Sequence, residues 1–233
     1  AAPASERTEV RIAFNADTLF VGVVCYDSRA GEIVVGESRR DSALDNTDSF
    51  QMVVDTFQDR QNGFVFATSP IGLEYDGQLT NEGAGSGGFG GGGGGAGGAR
   101  VGVGQQQGSG GGFNLNWDGS WDVRTSVTEI GWSAEFAIPF RTLRYPSTQN
   151  QTWGLNFQRD IRRRVETSYW APLPRQFNLN RVSLAGELRG LQVPPQRNLK
   201  LTPYALGQAV RRSADGRVTN TGEFGGDLKY SLT

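Results

Sequence analysis

Apolar and polar positions alternate in short runs along most of the chain, while the three-to-four-residue spacing of an amphipathic helix is scarce. Alternation places Val10, Ile12 and Phe14 on one face of a first strand, and Leu19 to Tyr26 reads as its hairpin partner across the turn Asn15-Ala-Asp-Thr. Ser49 to Thr56 and Gly63 to Thr68 are expected to continue the alternation, joined by the turn-rich Gln58-Asp-Arg-Gln-Asn-Gly. Trp121 to Val127 and Trp132 to Ile138 predict a third hairpin across Glu129-Ile-Gly, and Trp153 to Ile161 a further strand. Residues two apart on a strand share a face, so Trp121 with Val123 and Val127, and Trp132 with Ala134, Phe136 and Ile138, predict a packed inner surface. Short strands punctuated by turn signals predict an all-β fold, an antiparallel, jelly-roll-like β-sandwich over residues 1–195.

Two stretches depart from this texture. Residues 83–112 form a glycine-dominated tract with an unbroken run from Gly90 to Gly95, expected to be a long mobile insertion within a loop. No helix pattern follows it and no Lys-Ser or Lys-Thr pair closes it, which excludes a phosphate-binding loop. After Pro194-Pro195, residues 196–233 read as a hairpin, Leu199 to Val210 and Thr221 to Leu232, about Ser213-Ala-Asp-Gly. Strands of about ten residues are the length a membrane barrel needs, so this hairpin is expected to begin one.

Composition narrows the chemistry. The 233 residues carry 23 basic and 24 acidic side chains, so no general electrostatic pull toward nucleic acid exists. Histidine is absent, which removes histidine-based nucleophile activation and the usual zinc ligand. Cys25 lies in the apolar run Leu19 to Tyr26 and reads as a buried thiol with no disulfide partner. Ala1-Ala-Pro-Ala-Ser lacks the basic and apolar regions of a secretory leader, and no run of about 18 apolar residues predicts a membrane-spanning helix.

The remaining polar and aromatic residues offer candidate sites. Trp117, flanked by Asn116 and Asp118 at a predicted loop tip, is claimed by no core stripe; an indole beside polar side chains suits a sugar, and a ring lying over the sandwich end is the alternative. Tyr169 and Trp170, before Ala-Pro-Leu-Pro, form a second aromatic candidate with the same alternative. The acidic segment Asp41 to Asp48, with Asp45, and Asp27 at the end of the second strand could supply oxygen ligands to calcium, or be turn-forming carboxylates in solvent. Arg39, Arg40 and Arg162 to Arg164 read as ion-pair partners of these acids, with recognition of acidic sugars as the sharper alternative. Glu129 sits in a turn and Glu135 on an outward face, so no carboxylate pair declares itself as a glycosidase acid and base.

Several motifs occur in order: Arg39-Arg-Asp, Asp45-Asn-Thr-Asp-Ser-Phe, Val54-Asp-Thr-Phe-Gln-Asp-Arg-Gln-Asn-Gly-Phe, Asn116-Trp-Asp-Gly-Ser-Trp, Gly131-Trp-Ser-Ala-Glu-Phe-Ala-Ile-Pro-Phe and Trp153-Gly-Leu-Asn-Phe-Gln-Arg. Over about residues 5–195 the chain thereby resembles the family nine carbohydrate-binding-module-like domain found at the front of uncharacterised bacterial outer-membrane β-barrel proteins. The resemblance implies a β-sandwich in the bacterial cell envelope, a poly- or oligosaccharide ligand, and calcium as a structural ion. It places the aromatic role on Trp117 and Trp170 and the ion role on Asp27, Asp45 and Asp48, while Asn116, Asp118, Tyr169 and Arg40 complete the candidate sugar contacts read from the residues themselves. The expected function is non-catalytic sugar binding. Two rivals are an interaction module with a protein partner in an envelope assembly, and a domain associated with a glycoside hydrolase.

Overall fold

A computed structural model of the chain describes residues 3–83, 112–195, 199–211 and 218–230. The chain divides into two units, Ala1–Pro194 and Pro195–Thr233. In the first unit the strands run in order β1 (Thr8–Phe14), β2 (Thr18–Tyr26), β3 (Ser49–Asp55), β4 (Gly63–Thr68), β5 (Tyr75–Gly83), β6 (Gly112–Asn114), β7 (Asp122–Thr128), β8 (Gly131–Pro139), β9 (Asn150–Ile161), β10 (Glu166–Tyr169) and β11 (Gly186–Gln192). The second unit holds β12 (Leu199–Arg211) and β13 (Val218–Tyr230). No α-helix occurs among the described residues.

In the first unit two antiparallel sheets face each other: a four-stranded sheet in the order β1-β2-β8-β7, and a seven-stranded sheet in the order β10-β9-β3-β4-β5-β6 with β11 also on β9. The predicted hairpins β1–β2 and β7–β8 are present, and β2 pairs with β8 so that Leu19, Val21, Val23 and Cys25 lie opposite Ile138, Phe136, Ala134 and Trp132. All eight side chains are buried between the sheets with Phe50, Met52, Trp121, Trp153, Leu155 and Phe157. Trp121 stacks on Phe136 at 5.7 Å and 10°. The β7–β8 turn depends on Gly131, whose φ of +134° and close approach to the Cys25 carbonyl leave no room for a Cβ.

β3 and β4 do not alternate as expected. Every residue of both strands is buried, because a second apolar cluster covers the outer face of the larger sheet. Val53, Val65, Ala67, Tyr75, Leu79 and Phe113 supply the sheet side of that cluster, and Leu44, Leu179 and Val182 from loops close over it. Strands covered on both faces read as continuous apolar runs.

The ends of the glycine tract, Gly83 and Gly112, pair with each other where β5 meets β6; residues 84–111, on which the expectation of a mobile insertion falls, lie outside the described residues. In the second unit β12 and β13 form one long antiparallel hairpin of 13-residue strands. Its register sets Pro203, Ala205 and Gly207 beside Gly226, Phe224 and Gly222 on one face, and Thr202, Tyr204, Leu206 and Gln208 beside Asp227, Gly225, Glu223 and Thr221 on the other.

Candidate functional site

The two aromatic candidates lie in different places and do different work. Trp117 is half-buried and packs against the inner core, its ring centroid 4.9 Å from Phe64 and 6.0 Å from Phe66. Its loop is held from both sides: Asn116 N–H donates to Asn114 Oδ1 at 3.1 Å, and Gly119 N–H donates to the buried Asp76 carboxylate at 2.7 Å. Arg40 is fully engaged in the same corner, at 2.6 Å from Asp76, 2.6 Å from Asp118 and 2.7 Å from Glu74. Of the two alternatives for Trp117, the packing of its ring follows the one in which it lies over the sandwich, and Asp118 and Arg40 pin its turn as an ion pair.

Trp170 differs: the residue is 55 % exposed and forms part of a groove of ≈ 710 Å³ between β1 and the β9–β10–β11 edge. The groove exists because the partner of β9 changes along its length. β11 pairs with Asn150 to Leu155, β10 with Gln158 to Ile161, and Asn156 and Phe157 fall at the break. Trp170 N–H still bonds to the Phe157 carbonyl at 3.0 Å. Asn156, fully buried, then takes over the ladder with its side chain: it accepts from Ala171 N–H at 2.8 Å and donates to the Ala171 carbonyl at 3.1 Å. This amide clamp lets the loop after β10 leave the sheet without stranding backbone polar groups.

The clamp also sets the ring. Trp170 lies 5.8 Å from Phe157, and a Cβ added at Gly186, the first residue of β11, would overlap the far edge of the indole. Phe50, Leu155 and Phe157 make an apolar floor, while Val10 and Ile12 of β1 stand opposite Leu188. Glu6, Arg7, Glu9, Ser168 and Glu187 give the rim polar groups. Tyr169 contributes to the lining but packs with the second apolar cluster on the outer face. An indole with an exposed surface, an apolar floor and a hydrogen-bonding rim is what a pyranose needs, since its C–H faces stack and its hydroxyls require partners. Asn156 and Phe157 stand in the sequence motif Trp153-Gly-Leu-Asn-Phe-Gln-Arg, which gave them no site role, and Gly186 lies in no motif.

Of the three acids expected to bind calcium, Asp27 and Asp48 are brought together and Asp45 is not. Asp27 and Asp48 are buried at the ends of β2 and β3 and act on each other electrostatically. Asp45 is half-buried and acts instead on the Tyr75 phenol of the outer cluster. Burial pushes the Asp48 carboxyl up, against the Arg162 N–H that donates to it at 2.8 Å and the nearby Arg159 and Arg163 guanidiniums. Arg163 bonds Asp27 and also reaches Glu6 at 3.3 Å, while the Ser28 hydroxyl donated to Glu6 at 2.6 Å holds that carboxyl below its usual range.

No protein-family model matches the sequence, and no curated protein matches it. Among solved structures, a family 9 carbohydrate-binding module from Caldicellulosiruptor kristjanssonii in complex with glucose is similar over 84% of this chain and 81% of its own, with a TM-score of 0.50 and 12% identity. A candidate carbohydrate-binding protein from Bacteroides uniformis is similar over 82% of this chain and 80% of its own, with a TM-score of 0.55 and 13% identity. At such identities the likeness is one of fold.

Proposed function

We propose that the first unit is a non-catalytic carbohydrate-binding domain, and that a poly- or oligosaccharide lies in the groove with one sugar ring stacked on Trp170. The observation that carries this reading is the seating of the Trp170 indole: one side rests on Phe157 and Gly186, and the residue remains 55 % exposed at the wall of the groove. Similar folds in a module complexed with glucose and in a candidate carbohydrate-binding protein support it. Binding of this kind needs stacking and hydrogen bonds and no covalent step.

The two tryptophans separate in experiment. On a glycan array, the wild-type chain is expected to bind a pyranose oligosaccharide, Trp170→Ala to lose that binding at least tenfold, and Trp117→Ala to keep it while costing about 2–3 kcal/mol of stability from lost packing. Retention of binding by Trp170→Ala, or no binding to any glycan by the folded wild type, would remove the proposal.

The second unit supports a setting in the bacterial cell envelope, with the hairpin as the start of an outer-membrane barrel. Within the central part of the hairpin one face is made of Pro203, Ala205, Gly207, Gly222, Phe224 and Gly226, without a polar side chain, and the other is mixed, carrying Thr202, Gln208, Thr221, Glu223 and Asp227 together with Tyr204 and Leu206. Apolar-out and polar-in alternation is what a lipid-facing strand requires.

A further inference from the structure

We infer that the cation resident among Glu6, Asp27 and Asp48 is the Arg163 guanidinium, so that an ionic clasp, and not calcium, closes this end of the sandwich. Four stretches of chain meet there: the approach to β1, the end of β2, the start of β3, and the turn after β9. The Arg163 side chain is 8% exposed and bridges Asp27 and Glu6, and Arg164 adds a second ion pair to Glu6 at 2.9 Å. Beside them Arg159 donates to the Arg7 carbonyl at 2.9 Å and the Tyr26 carbonyl at 2.7 Å, tying β9 across to β1 and β2.

The donor set does not suit calcium. That ion takes six to eight oxygens, yet among the described residues no three acidic, cysteine or histidine side chains converge on a common point. Asp45, the third expected ligand, acts electrostatically on Tyr75 of the outer cluster instead. A divalent ion on Asp27 would have to displace the guanidinium or lie against it, and like charges in a buried site repel strongly. The groups left without a direct partner are of both kinds, Asp27 Oδ2 and Asp48 Oδ2 as acceptors and Arg163 Nε and Nη1 as donors. Such a mixture suits bridging water, which both donates and accepts, better than a cation, which would leave the N–H groups unsatisfied.

Thermal melting of the full chain in millimolar calcium and in EDTA tests this. The wild-type midpoint is expected to be the same in both, Arg163→Met to lower it by about 10 °C, and Arg163→Lys, which keeps the charge but not the fork, to fall between. A wild-type midpoint that rises with calcium would overturn the inference, and that comparison needs no variant. An Arg163→Met midpoint equal to the wild type would overturn it equally.

Discussion

Trp117 and Trp170 show how one residue type is put to opposite uses by its immediate support. Trp117 leans inward on Phe64 and Phe66, and its acidic and amide neighbours are spent on the turn; Trp170 leans on Phe157 and a glycine and remains more than half exposed. Two other residues carry predictions at this scale. Val165, in the turn between β9 and β10, adopts φ +51° with its side chain 67 % exposed, a left-handed conformation costly for a β-branched residue with little packing to offset it. Val165→Asn is therefore expected to raise stability by about 1 kcal/mol in a denaturant titration; an unchanged midpoint would mean that the turn is not strained. Cys25 is fully buried, and desolvation pushes its thiol up to about 12. A thiol with so high a value stays protonated at pH 8, so a disulfide reagent should leave the folded chain unmodified and label one site per chain once denaturant unfolds it.

At the scale of elements, the site is a consequence of β9 having two successive partners. The break at Asn156 and Phe157 aims the chain outward, and the first residue of β11 must be glycine for the indole to lie over it. Gly186→Ala is expected to displace the ring, weakening glycan binding several-fold and shifting tryptophan emission while the far-ultraviolet spectrum is retained; unchanged affinity and emission would show that Gly186 does not set the ring. The hairpins were legible in the sequence because alternation is a local signal: β2 and β8 present every second side chain to the core. β3 and β4 were misread because their apolar content satisfies either face, and only the Leu44, Leu179 and Val182 loops reveal that both faces are covered. The site was half legible for a related reason. Polar neighbours made Trp117 resemble a sugar platform, whereas the support of Trp170 comes from Phe157 and Gly186, 13 residues before it and 16 after.

At the scale of the whole molecule, the two units solve different burial problems. The first covers its larger sheet on both faces, closes one end with the Glu6, Asp27 and Arg163 clasp, and opens at the groove beside Trp170. The second offers a two-stranded hairpin with Phe224 85 % exposed on its face without polar side chains, and a two-stranded hairpin by itself is marginal in water. Sedimentation with phospholipid vesicles is therefore expected for the full chain and weaker for Phe224→Asp; equal sedimentation of the two would argue against a lipid-facing strand. The central claim, that sugar meets this chain at Trp170, is reached most directly by fluorine NMR of the chain labelled with 5-fluorotryptophan, whose five tryptophans give separate resonances. On titration with the array's best pyranose oligosaccharide, the Trp170 resonance should move to saturation while those of Trp117, Trp121, Trp132 and Trp153 stay in place. A Trp170 resonance unmoved at saturating sugar, or a response confined to Trp117, would contradict the account.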